Sequence, residues 1–163
     1  MQQAKLPLRG AIRMALWKVP VISQSSGYLC WEACARMMWK WRFNKLDGYT
    51  QKAGAYAKVD KGLSEDEMDK FYKVLGLRSL KGPKGADIQA SLESSPVIVT
   101  SIEELDGHAC VMAGFNNGKY IEVNPCALET VDFETNSMKC DAKTLKLQPS
   151  NVEKSLGHYI WFW

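Results

Sequence analysis

The sequence lacks an apolar run long enough to span a membrane, so we expect no transmembrane segment and no membrane partner. Its first residues carry scattered charges without an apolar block before a small-residue cleavage site, so we expect no secretory leader. The net charge of +3 gives no argument for nucleic acid as a partner. Repeats, low-complexity stretches and linkers are also missing. We therefore predict a single domain over residues 1–163, with residues 1–18 as a possible N-terminal extension.

The cysteines do not follow the pattern of a disulfide-rich miniprotein, which would be shorter and evenly paired. There are five of them, so at least one thiol has no partner within the chain. An unpaired cysteine in a chain that is long enough to bury a sizeable core suggests a reactive or a buried thiol. We interpret Cys30 as the reactive candidate, and we interpret the others as packing residues: Cys34, Cys110, Cys126 and Cys140.

Helical patterns occupy the first 95 residues. The segment CWEACARMMWKWR, which starts at Cys30, is rich in helix formers and repeats apolar residues four positions apart, so it predicts a helix. A second helix is predicted from Ser64, because Ser64 and Glu67 form a capping-box pattern before an apolar stripe. Residues 50–58 and 86–94 are weaker helical candidates.

After Pro96 the pattern changes to short strands. The segments PVIVTS, HACVMAGF and KYIEVN are strand-like, and the later segments TVDFET, KTLKLQ and HYIWFW have the same character. Asn116-Asn117-Gly118 predicts a tight hairpin between the second strand and the third. Helices followed by antiparallel strands indicate an α+β fold, with a cleft between the helical half and the sheet half.

Four residues of this arrangement could build a nucleophilic site. Cys30 stands at a predicted helix start, where the helix dipole favours its thiolate. His108 opens a predicted strand and could act as the general base, and Asn124 ends the next strand, from which it could orient the imidazole. Gln24, on the turn before Cys30, could donate its amide to an oxyanion. Asp106, near His108, is interpreted as a turn residue.

The motifs around these residues resemble those of the papain-like cysteine proteases. QSSGYLCW, which runs from Gln24 to Trp31, is similar to the family's oxyanion-glutamine and nucleophile segment. HACVMAGF, which starts at His108, is similar to its histidine strand, and Asn124 follows at the interval of the orienting asparagine. The family's order of nucleophile, histidine and asparagine is kept.

Two short motifs narrow the resemblance to compact bacterial members. Val19-Pro20-Val21 and Asn124-Pro125 resemble bacteriocin-processing peptidase domains and secreted effector or toxin proteases. The sequence departs from plant-type members, which have Ser-Trp after the asparagine where this chain has Pro125-Cys126. The shielding tryptophan of those members is therefore not expected at this position.

The resemblance implies a papain-like α+β fold, in which an N-terminal helical half with the nucleophile helix packs on a C-terminal antiparallel sheet. It implies a thiol protease that cleaves a protein or peptide substrate through an acyl-enzyme, with no metal or organic cofactor. It also implies a bacterial effector or toxin, secreted or delivered to act in a target-cell cytoplasm and restrained by a cognate inhibitor or immunity protein.

The residues alone leave other functions open. The same thiol chemistry serves glutamine deamidation, transglutamination and acyl transfer, and a catalytically inactive copy could serve as a binding module. A metal-stapled module is a distant alternative, with Cys30-x-x-x-Cys34 and His108-x-Cys110 as soft zinc ligands. The absence of a Cys-x-x-Cys knuckle argues against it. His158 is interpreted as a core or rim residue rather than a second base.

Overall fold

The computed structural model describes residues 16–101, 108–135 and 137–163. The helices in this part of the chain are α1 (Cys30–Phe43), α2 (Tyr49–Ala53), a 3₁₀ helix (Gly54–Lys58), α3 (Glu65–Leu75), α4 (Gly85–Leu92) and α5 (Pro149–Glu153). The strands are β1 (Arg78–Lys81), β2 (Val97–Ser101), β3 (His108–Asn116), β4 (Lys119–Asp132), β5 (Ser137–Leu147) and β6 (Leu156–Phe162). Within these ranges no helix has both the length and the apolar character needed to cross a membrane.

The helices of the first 95 residues confirm the predicted pattern, whereas α5 was not predicted. α1 begins at Cys30, as predicted, and ends where Asn44 adopts the left-handed conformation. At the start of α3 the predicted capping box is present: Ser64 Oγ accepts from Glu67 N at 3.2 Å, and Ser64 N donates to Glu67 Oε2 at 2.9 Å. The two weaker helical candidates are also helical, one as α2 with the 3₁₀ helix and the other as α4.

The six strands form one antiparallel sheet in the order β1-β6-β2-β3-β4-β5. The predicted hairpin is confirmed, because Asn117 and Gly118 both have positive φ values (51° and 73°) between β3 and β4. Two strand predictions need correction. The predicted strands KYIEVN and TVDFET form one strand, β4, so Asn124 lies within a strand and not at its end. This strand ends at Asp132, since residues 133–135 form a turn. The edge strand β1 was not predicted, because RSLK is too short and too charged to show alternation.

The sheet is covered on both faces, which explains why β2 and β3 are almost continuously apolar. One face packs against α1 and α3, and β3 contributes Ala109, Val111 and Ala113 to that core. The other face packs against α4 and α5, and β3 contributes Cys110 and Met112 to it. The alternation of side chains along β3 therefore supplies residues to two cores, one on each face of the sheet.

Candidate active site

A groove of about 480 Å³ lies where α1 and α3 meet the sheet, as the sequence predicts for the cleft. Its lining includes residues of α1, α3, β2, β3, β4 and β6 and of the loops before α1 and α3. All four predicted site residues line it: Gln24, Cys30, His108 and Asn124. The fold therefore gathers in one groove residues that lie up to 100 positions apart in the sequence.

Cys30 is the first residue of α1 and is half-buried. Its Sγ accepts a hydrogen bond from the backbone nitrogen of Ala109 at 3.5 Å, so the thiol faces the start of β3. The next residue, Trp31, is fixed by two contacts: its carbonyl accepts from Tyr72 Oη at 2.9 Å, and its Nε1 donates to the Lys61 carbonyl at 3.0 Å. The start of α1 is thus held in place, with Cys30 at the positive end of the helix dipole.

His108 and Asn124 are hydrogen-bonded, with Nε2 and Oδ1 2.8 Å apart. The same amide oxygen accepts from the backbone nitrogen of Cys126 at 2.9 Å, which fixes the orientation of the amide. Because an amide oxygen only accepts hydrogen bonds, the proton of the neutral imidazole belongs on Nε2. The other ring nitrogen, Nδ1, is then left in the form that can accept a proton.

Gln24 is buried in the loop before α1. Its backbone nitrogen donates to the Pro125 carbonyl at 3.1 Å, which joins this loop to the segment that carries Asn124. The side-chain Nε2 donates to the Ser26 carbonyl at 2.7 Å. Since a primary amide has two N–H groups, one hydrogen of Nε2 remains for a further acceptor.

A buried carboxylate that the sequence analysis did not single out stands beside these residues. Glu122 lies two positions before Asn124 on β4 and hydrogen-bonds the Asn124 and Cys110 side chains. Burial raises the pKa of Glu122, and the Cys110 bond, the His108 charge and the Asn124 bond oppose that shift. The alternation of KYIEVN could have revealed it, because Glu122 shares a strand face with the buried Tyr120.

A polar cluster also lines the groove near the start of α3. The carboxylate of Glu65 accepts from the Thr100 hydroxyl and from the backbone nitrogen of His158, and it contacts His158 Nδ1 at 2.7 Å. The His158 side chain is 74% exposed, so the interpretation of this histidine as a rim residue agrees with its position. Trp31, in contrast, is buried against Phe71 with ring centroids 5.1 Å apart.

The four cysteines other than Cys30 divide into two pairs. Cys34 and Cys110 are buried free thiols, in agreement with a packing role, and burial raises the pKa of both. The interpretation of Cys126 and Cys140 as packing residues is wrong, because they form a disulfide between β4 and β5. The spacing of 14 residues in the sequence could not reveal this pair. The two sulfurs meet only because of the irregular register between β4 and β5.

The distant zinc hypothesis is not supported by the geometry. In the described ranges, only Cys126, Glu129 and Cys140 place three metal-ligating atoms within 4.8 Å of one another, and two of these are in the disulfide. Cys34 and Cys110 are instead enclosed in separate cores on opposite faces of the sheet. Asp106 and residues 1–15 of the predicted N-terminal extension lie outside the described residues.

Solved structures share this fold. A double-glycine motif protease from an AMS/PCAT transporter, in complex with its leader peptide, superimposes with a TM-score of 0.62 at 15% identity over 91% of this chain and 93% of that one. The peptidase domain of Streptococcus mutans ComA has a TM-score of 0.55 at 15% identity, covering 87% and 96%. A C39-like peptidase from Bacillus anthracis gives 0.55 at 11%, covering 91% and 96%.

These likenesses confirm the predicted fold class and the predicted likeness to compact bacterial peptidases. No curated protein sequence matches the chain significantly. A family profile described as papain-like cysteine protease AvrRpt2, of the peptidase C70 group, matches residues 14–138, which are more than half of the chain. The chain therefore belongs to this family of papain-like cysteine proteases.

Proposed function

We propose that the chain hydrolyses peptide bonds in a protein substrate, with Cys30 as the nucleophile and His108 as its base. Asn124 orients His108, and Gln24 stabilises the oxyanion. The observation that carries this proposal is the 2.8 Å contact between His108 Nε2 and Asn124 Oδ1 in the groove that Cys30 lines. It favours the neutral tautomer with an unprotonated Nδ1, the form that a general base requires.

The reaction follows from these roles. His108 takes the Cys30 proton, and the thiolate attacks the scissile carbonyl carbon. The carbonyl oxygen becomes an oxyanion, which the Cys30 N–H and the second amide N–H of Gln24 stabilise. His108 returns its proton to the leaving amine as the C–N bond breaks, which leaves a thioester on Cys30. Water, deprotonated by His108, then releases the acid and restores the thiol.

The size of the groove is compatible with a bound peptide segment. Its volume of about 480 Å³ lies within the range of about 300–1,000 Å³ that is typical of ligand sites. Several elements supply the walls, including Leu63 and Met68 on one side and Ala109 on the sheet. The AMS/PCAT transporter protease, whose structure contains a leader peptide, is a precedent for peptide binding on this fold.

We further propose that the enzyme is a bacterial effector or toxin, secreted or delivered to act in a target-cell cytoplasm. A cognate inhibitor or immunity protein would restrain it. The motif resemblance to effector and toxin proteases supports this biological role. The Cys126–Cys140 disulfide supports a passage through an oxidising compartment before the target cell is reached, because disulfides form and persist there.

The test is hydrolysis of a proteome-derived peptide library, read by mass spectrometry as new N- and C-termini. We expect cleavage by the wild type and none by Cys30→Ala. Cys34→Ala is the matched control, because it removes a buried thiol one helical turn away on α1. New termini with Cys30→Ala would contradict the proposed nucleophile. Modified glutamine side chains without new termini would show that the reaction is deamidation or transglutamination and not hydrolysis.

A thiol probe gives an independent readout that requires no substrate. An epoxide electrophile of the E-64 kind should label Cys30 rapidly and once, and His108→Ala should slow that labelling. The buried thiols Cys34 and Cys110 should remain unlabelled, because burial raises their pKa values and keeps them protonated. Labelling spread over several cysteines would contradict an activated thiolate at Cys30.

A further inference from the structure

The segment Asn124-Pro125-Cys126 contacts two of the proposed functional residues. The Cys126 N–H donates to Asn124 Oδ1 at 2.9 Å, and the same oxygen lies 2.8 Å from His108 Nε2. The Pro125 carbonyl accepts from the backbone nitrogen of Gln24 at 3.1 Å. The position of this tripeptide therefore influences both the imidazole and the loop of the oxyanion glutamine.

Beyond Asn124, the strand ladder does not hold this segment. Asn124 pairs with Lys143 of β5, and the next pair along β4 is Leu128 with Asp141. Between these two pairs the chain advances four residues along β4 but only two along β5, so the register shifts across residues 125–127. A bulge of this kind bends the strand and leaves its extra residues without regular ladder partners.

The disulfide joins the bulge to β5. Cys126 lies within it, and Cys140 lies on β5 opposite Glu129. β5 also contacts the Gln24 loop directly, because the Ala142 backbone nitrogen donates to Ser23 Oγ at 2.9 Å. A short stretch of β5, residues 140–142, is thus linked covalently to the Asn124 segment and by a hydrogen bond to the Gln24 segment.

We propose that the Cys126–Cys140 disulfide is a positioning element of the active site, so that proteolysis requires this disulfide and a free Cys30 thiol at the same time. Cys126 and Cys140 are positioning residues that act through Asn124 and Gln24. This inference rests on the proposed function. Turnover should fall when a reductant opens the disulfide, because the amide of Asn124 and the loop of Gln24 then lose their common anchor. In a reducing target-cell cytoplasm, turnover would therefore last only until the disulfide is opened.

The chemistry is thiol–disulfide exchange. A thiolate of an external dithiol attacks one sulfur of the pair, so that the Cys126–Cys140 bond breaks and a mixed disulfide with the reagent forms. The second thiol of the reagent then attacks the reagent sulfur of this mixed disulfide and releases the protein thiol. Two electrons pass from the reagent to the protein, so the reagent ends as a disulfide, while Cys126 and Cys140 end as thiols. Cys30 remains a thiol throughout. Cys34 and Cys110 take no part, because both are buried in the cores.

The experiment compares kcat and KM for one cleavable peptide in two buffers. A monothiol at low concentration keeps Cys30 reduced, whereas excess dithiothreitol also opens the disulfide, and mass spectrometry after alkylation verifies each state. A chelator is present in both buffers, because the reduced thiols would stand beside Glu129 as metal ligands. We expect kcat of the wild type to fall about tenfold or more on reduction, the size of effect that misplaced catalytic groups produce. KM should change less, and reoxidation should restore kcat.

Two variants make the test specific. Cys126→Ser/Cys140→Ser should have the low kcat of the reduced wild type in both buffers and should not respond to dithiothreitol. Cys34→Ala should respond as the wild type does. The proposal is overturned if the double variant keeps the oxidised wild-type kcat, or if kcat is unchanged although the disulfide is open. It is also overturned if reduction unfolds the protein by near-ultraviolet circular dichroism, since the disulfide would then act on global stability.

The outcome separates this inference from the proposed function. If the oxidised wild type shows no Cys30-dependent cleavage and no epoxide labelling, the proposed function itself fails. If the oxidised wild type cleaves and the double variant cleaves equally well, only the positioning role of the disulfide fails.

Discussion

His108 Nε2 and Asn124 Oδ1 lie 2.8 Å apart, although sixteen positions separate the two residues. They belong to adjacent antiparallel strands, and the β3–β4 pairing shifts its register between Met112 and Gly114. This irregularity alters the alignment of the strands between the hairpin turn and the site. The pairing of histidine and asparagine thus depends on the register of the sheet.

The contact predicts a graded loss of activity in two variants. His108→Ala should lower kcat/KM by about 10²–10⁴-fold, the usual contribution of a general base. Asn124→Ala should lower it less, because His108 remains and loses only the group that orients it. The pH dependence of Cys30 alkylation should show the same order, with His108→Ala furthest from the wild type. Equal losses in the two variants would contradict the assigned roles.

Gln24 should matter for hydrolysis and not for simple alkylation. Gln24→Ala should lower kcat by about 10²–10³-fold, the usual effect of removing one oxyanion donor. Iodoacetamide alkylation of Cys30 forms no tetrahedral oxyanion, so its rate should stay close to that of the wild type. Gln89→Ala is the control, because Gln89 lies on α4, away from the groove. A parallel fall in both reactions of Gln24→Ala would indicate a structural role.

Glu122 predicts a pH dependence of stability. Burial raises its folded-state pKa above the ordinary value of 4.5, despite the opposing Cys110, His108 and Asn124 interactions. The neutral carboxyl is therefore favoured by the fold. The contribution of this neutral carboxyl to the free energy of unfolding is fully present below pH 4.5 and is lost as the pH rises through the raised pKa. Glu122→Gln cannot ionise, so its stability relative to the wild type should increase over that pH interval.

Urea unfolding of both proteins at a series of acidic to neutral pH values measures this difference. Glu93→Gln is the control, because Glu93 is exposed at the end of α4. A constant difference between Glu122→Gln and the wild type at every pH would contradict the raised pKa.

The capping box of α3 makes a prediction that is independent of catalysis. Ser64→Ala removes the acceptor of the Glu67 N–H and should reduce the free energy of unfolding by about 0.5–2 kcal/mol. Ser94→Ala is the control, because Ser94 lies outside a helix start and its hydroxyl makes a long contact of 3.4 Å with the Ser91 carbonyl. Chemical denaturation measures both variants. Equal stabilities of the two would show that the cap contributes little.

Local patterns predicted much of this fold because the forces behind them act over a few residues. The four-residue apolar repeat of α1, the Ser64–Glu67 cap and the Asn117-Gly118 turn each follow from backbone geometry and neighbouring side chains. The edge strand β1 was not predicted, since four residues with two charges owe their conformation to pairing with β6. The catalytic roles of the site residues stay predictions until the variants are measured.

The sequence by itself determined the helices of the first 95 residues, the hairpin and the order of the motifs around Cys30, His108 and Asn124, because these depend on local periodicity and residue type. Only the tertiary structure decided that Cys126 pairs with Cys140 and that Glu122 is buried beside Asn124. Both depend on strand register and on packing on the two faces of the sheet. These are long-range contacts, which become defined only when distant segments are brought together.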